Sequence, residues 1–110
     1  MTDKLLVLTT TGSQAEAEKI AHTLVDRRLA ACVNIVPKIQ SVYRWEGKVE
    51  SAEEYLLLIK TRQGREADVC AAIRELHSYE LPECIAITVE WGSKEYLQWV
   101  TDSVVRSDEQ

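Results

Sequence analysis

Apolar and β-branched residues run from Leu5-Leu6-Val7-Leu8 into Thr9-Thr10-Thr11 and stop at Gly12, which predicts a strand of the buried kind. Ser13 and Glu16 then stand at capping-box spacing, where a hydroxyl and a carboxylate can satisfy the free amides of a helix start. Ala17, Ile20, Ala21, Leu24 and Val25 follow at steps of three and four, while Glu18, His22, Asp26 and Arg27 fall elsewhere on the cylinder. A second strand is predicted over 31–36. It meets Pro37, whose missing amide donor fits an edge position or a bend, and it resumes over 41–45. Gly47 allows a tight hairpin turn, and the return strand runs from Lys48 to about Thr61 with an irregularity expected near Ser51-Ala52. Val69, Cys70, Ile73 and Leu76 give a second helix over 66–76, and a fourth strand is read over 85–91. Ser93 caps a short third helix, with Tyr96, Leu97, Trp99, Val100 and Val104 as its apolar surface.

The order βαββαβ plus a helix predicts an α+β fold: a ferredoxin-like antiparallel sandwich with a long hairpin and an extra C-terminal helix. Both main helices would cover one face of the sheet. On the other face, strands open to water should alternate with polar residues, yet 5–8 and 55–59 are apolar in succession. The chain has no helix left to cover that face, so a second copy of itself is expected there.

At 110 residues the chain has room for one domain, with 106–110 and the first three residues expected to be loose. A net charge of −5 without clustered Lys and Arg speaks against nucleic acid, and the absence of Phe and of an aromatic RNP pattern speaks against an RNA-recognition module. The apolar run at 5–8 is too short for a signal segment or a membrane span, so a cytoplasmic protein with no membrane partner is expected. Cys32, Cys70 and Cys84 are odd in number and show no C-x-x-C spacing, so all three are expected as reduced, mostly buried thiols.

Four segments in order, Ala30-Ala31-Cys32-Val33-Asn34-Ile35, Tyr43-Arg44-Trp45-Glu46-Gly47-Lys48, Leu58-Ile59-Lys60-Thr61 and His77-Ser78-Tyr79-Glu80-Leu81-Pro82-Glu83, resemble the CutA family of divalent cation tolerance proteins. The resemblance implies a ferredoxin-like subunit in a homotrimer, with clefts between subunits arranged as in PII-type signalling proteins. It also implies a response to metal ions, copper or another divalent cation being the group to expect. The chain departs from the family pattern in two places. Ser78 stands where a Pro is common. A proposed copper site of a strand-one cysteine and tandem histidines is met here by Thr9 and by Leu76-His77, leaving His77 as the single ligand candidate.

His77 reads either as a metal ligand or base, or as a helix-end histidine held by the dipole and nearby carbonyls. Lys60, His77, Tyr79, Glu80 and Glu83 are the candidate pocket residues, with the opposite wall expected from a neighbouring subunit's hairpin near Tyr43 and Trp45. The alternative is that they fix a loop and a subunit contact. Trp45, Trp91 and Trp99 are expected as interface anchors. No Ser, Cys or Thr lies in a nucleophile motif, so an enzyme is the least favoured class, behind a metal-response trimer and a PII-like small-ligand trimer with no physiological metal.

Overall fold

The computed structural model describes residues 1–106. The elements are β1 (Lys4–Thr11), α1 (Gln14–Asp26), β2 (Cys32–Trp45), β3 (Lys48–Arg62), α2 (Glu66–Leu76), β4 (Ile85–Thr88) and α3 (Lys94–Ser103). The strands form one antiparallel sheet in the order β2-β3-β1-β4, which with two helices on one face is the ferredoxin-like arrangement. Among the described residues no helix is long and apolar enough to cross a membrane.

Strand alternation divides the residues cleanly. Val7, Leu57 and Ile59 point to the helices and join Ile20, Leu24, Val69 and Ile73 in a core closed to solvent. Each such side chain contributes about 1.5–3 kcal/mol by leaving water. α3 seats Val100 and Val104 on Ala31. Its last carbonyls are met by two cations: Arg28 donates to Asp102 and Ser103, and Arg62 to Thr101 and Val104. Positive charge at a helix C-terminus is favourable for the same reason that those carbonyls lack intrahelical partners.

Several local expectations change. The irregularity lies not at Ser51-Ala52, which pair in register with Val42 and Ser41, but between Val36 and Ile39 on β2. Pro37 cannot donate and Lys38 takes φ 57°, so the edge strand takes up the extra length. The hairpin turns on Glu46 and Gly47, both at positive φ, as a two-residue turn between twisted strands requires. β4 stops at Thr88, three residues short of Trp91, although Val89 still donates to Lys4. Val25 is 42% exposed instead of joining the core. Thr2 is tied to Val89 through both its amide and its hydroxyl, so the expected looseness of the first residues is not observed there. Of the expected tail, residues 107–110 lie outside the described residues.

The largest correction concerns the cysteines. Cys70 and Cys84 are joined in a disulfide, with their Cα atoms 5.9 Å apart, and Cys32 is the free thiol. The sequence offers no spacing cue because the pairing arises only when α2 lies beside the entry to β4.

Candidate functional site

α2 ends at Leu76, and His77 leaves it in extended conformation while its amide still donates to Ile73. The imidazole turns under the end of β1, its side chain closed to solvent. Nε2 lies 2.6 Å from the Thr10 carbonyl, and Nδ1 lies 3.0 Å from the Tyr79 amide and 3.2 Å from Glu16 Oε1. A neutral ring protonated on Nε2 donates to Thr10 and accepts from Tyr79, which uses both nitrogens. Ser13 caps α1 by accepting from the Glu16 amide, as its position predicts. The Glu16 carboxylate, however, turns away from its own helix start to receive the Ser78 amide at 3.4 Å.

Tyr79 continues the loop onto the sheet. Its ring lies 4.6 Å from that of His77, and its hydroxyl donates to Glu54 Oε2 at 2.7 Å. The close approach depends on Gly12, since a Cβ there would stand 3.1 Å from the Tyr79 oxygen. Burial, followed by the Glu54 carboxylate, holds the Tyr79 phenol protonated well above the ordinary tyrosine range. Up to about pH 10, folded and unfolded chains both carry this proton and the contact counts in full. Above that, the unfolded chain loses the proton while the folded chain keeps it, so stability falls as pH rises towards the folded value. Urea unfolding across this alkaline window is expected to show the decline in the wild type and a shallower one in Tyr79→Phe. Equal slopes in the two proteins would show that the phenol is not held in this way.

A cavity of about 610 Å³ opens beside this contact. Tyr43, Trp45 and Val42 of the hairpin form one wall, and Tyr79, Glu80, Leu81 and Glu83 of the loop form the other, with Thr10, Ser41 and Glu54 on its floor. Among the described residues its charged groups are Glu54, Glu80 and Glu83, and no Lys, Arg or His lines it. The aromatic faces and carboxylates together suit a small cation better than an anion.

Five of the residues singled out in the sequence, Tyr43, Trp45, Tyr79, Glu80 and Glu83, therefore meet around one cavity. Tyr43 and Trp45 of this chain's own hairpin form that wall within the single subunit. His77 stands behind Tyr79 as its support. Lys60 is not brought to the loop: it sits six positions from Glu54 along β3, roughly 20 Å at the rise of a strand. There it donates to Asn34, with Cys32 Sγ at 3.9 Å. Sequence reasoning missed Glu54, Gly12 and Glu16. Glu54 had a signal, since it alternates with Leu56 and Leu58 and so places a carboxylate in an otherwise apolar series.

The donors do not fit a resident copper ion within one chain. Among the described residues no three His, Cys, Asp or Glu side chains converge, and both nitrogens of His77 are engaged. Thr9, at the position of the proposed strand-one ligand, is fully buried on the helix-covered face with its hydroxyl unpartnered.

The cavity borders the face of the sheet opposite α1 and α2. Thr10 shares that face with Leu6, Leu8, Leu56 and Leu58, and with Ile85 and Ile87, which are 54% and 50% exposed. Trp91 and Trp99 are also exposed at 82% and 46%.

Comparison with known proteins gives a consistent result. The family described as CutA1 divalent ion tolerance protein matches residues 5–103. The chloroplastic protein CutA of Arabidopsis thaliana is 44% identical over 99 residues, covering 90% of this chain and 54% of that relative. The divalent-cation tolerance protein CutA of Archaeoglobus fulgidus is 45% identical over 95 residues, covering 86% of this chain and 92% of that relative. The chain thus spans about half the length of the plant relative and nearly all of the archaeal one. The crystal structure of CutA from Xylella fastidiosa superposes with a TM-score of 0.92 at 40% identity, covering 94% of this chain and 100% of that one.

Proposed function

This chain belongs to the CutA1 divalent ion tolerance family, and from that membership we propose that it acts in the response to divalent cations as a cytoplasmic homotrimer. Each loop-and-hairpin cavity receives a small cationic ligand, such as a metal ion that keeps its own water or amine ligands, in place of a resident copper centre. The observation that carries this reading is the cavity lining: Glu54, Glu80 and Glu83 beside the rings of Tyr43, Trp45 and Tyr79, without a lining cation. Cations are attracted by carboxylates at long range and by aromatic faces at contact. The trimer is supported by the apolar face of Leu6, Leu8, Leu56, Leu58, Ile85 and Ile87, which borders the cavity. Copies meeting there would turn an open cavity into a cleft between subunits.

Calorimetric titration with Cu²⁺ and with tetramethylammonium tests the reading. Both are expected to bind in a salt-sensitive way, and the Glu80→Gln, Glu83→Gln double variant is expected to weaken both by about tenfold, the effect of two screened charges. Tight Cu²⁺ binding that this variant leaves unchanged would overturn the proposal in favour of a copper site elsewhere.

A further inference from the structure

We propose that Cys70 and Cys84 form a reversible thiol–disulfide site whose state sets the order of the loop walling the cavity. The bridge closes a ring 14 positions long that contains every loop residue lining the cavity: Tyr79, Glu80, Leu81 and Glu83. Tyr79 is pinned by His77 and Glu54. Among the described residues, Glu80 to Glu83 form no hydrogen bonds, and Leu81 is exposed. Their path is therefore fixed from its two ends, by Tyr79 on one side and Cys84 on the other.

The far end depends on the bridge more than the near end. Cys84 leads directly into β4, a four-residue edge strand paired only with β1. Cys70 sits on α2 between Val69 and Ala72–Ile73, which are buried in the core. The bond thus fastens a short edge strand and a loop without hydrogen bonds to a helix that the core holds. A cross-link of this kind acts by limiting the conformations of the segment it closes. Neither cysteine is fully buried, although Cys84 packs against the core, and access of a small thiol to the bridge is what treatment with glutathione reads. Cys32 lies on β2 at the opposite edge of the sheet and does not compete as a partner within the chain.

The exchange balances with a low-molecular-weight thiol of the glutathione class. One thiolate attacks a sulfur of the bridge, forming a mixed disulfide and releasing the other cysteine as a thiolate, which takes up a proton. A second thiol attacks the mixed disulfide and leaves as the oxidised dimer, so two electrons reach the protein and two cysteine thiols remain. The oxidised dimer reverses the sequence.

The proposal relies on the cation-binding reading only for what an ordered loop does, and its test does not need a ligand. Protein purified without reductant should show one alkylatable thiol, Cys32, and three after treatment with glutathione. Amide exchange over β4 (85–88), whose ladder to β1 the bridge anchors, followed by mass spectrometry, should accelerate by on the order of tenfold on reduction, with β3 unchanged, and should recover with oxidised glutathione. Cys70→Ser and Cys84→Ser should each exchange like the reduced protein and not respond to glutathione. The wild-type arms stand alone if a variant does not fold. Three free thiols before reduction, equal β4 exchange in both states, or acceleration spread evenly through β3 would overturn the proposal. Tetramethylammonium affinity should fall with loop order. A loop that loosens without that fall would leave the thiol site standing and overturn the cation reading alone.

Discussion

Leu58→Glu is expected to leave the protein folded and monomeric, so that light scattering reports the 12.5 kDa chain in place of a species three times as large. Leu58 lies on β3 opposite Leu8 on one side and Asn34 on the other, on the sheet face opposite α1 and α2. The helix-covered face belongs to its neighbours Leu57 and Ile59, so a change at Leu58 does not enter the core of the chain. In an assembly that buries this face, the new carboxylate would lose its water without gaining a partner. Such a buried, uncompensated charge costs about 3–5 kcal/mol, which at about 1.4 kcal/mol per tenfold lowers association by roughly two to four orders of magnitude. Leu58→Met, which keeps volume and polarity, should assemble like the wild type. A wild-type protein that is monomeric at micromolar concentration would sink the trimer, and an assembled Leu58→Glu would move the interface to another surface.

Periodicity carried most of the fold. The spacing of Val69, Ile73 and Leu76 placed α2 within its observed bounds, and Pro37 marked a strand that is both an edge and bent. These features depend on neighbours within a few positions, where sequence order and spatial order agree. The irregularity opposite Glu54 was misplaced because a bulge can be put on either of two paired strands, and the choice turned on the missing donor of Pro37 and the positive φ of Lys38. The cavity was half legible. Tyr79, Glu80 and Glu83 were found as a polar loop, whereas Lys60 was assigned to the same end of the sheet without a register to test it. Pairing Lys60 with Leu6 and Cys32 places it at the other end. The Cys70–Cys84 bond was not legible, because 14 positions of intervening chain set no distance until the helix and the edge strand are both in place.

His77→Ala is expected to destabilise the chain by about 3 kcal/mol and to loosen Tyr79, without any metal being present. The ring supports two backbone groups, the Thr10 carbonyl and the Tyr79 amide, at a place with no solvent access to its side chain. Alanine leaves the part-buried Thr10 carbonyl and the more exposed Tyr79 amide without that partner; a buried polar group so stranded costs about 1–3 kcal/mol, an exposed one less, and the lost packing of the ring adds to it. Loss of the ring also removes the surface against which Tyr79 rests and the neighbour of the Glu16 carboxylate, so the bond from Tyr79 to Glu54 should weaken in turn. A role limited to metal ligation predicts a different result: stability and loop protection unchanged in metal-free buffer, with only copper affinity reduced. Urea unfolding and amide exchange at Ser78 and Tyr79 in the presence of a chelator separate the two. A His77→Ala protein as stable as the wild type, with its loop equally protected, would show that the imidazole is not the support of this loop and would return it to the role of a free ligand.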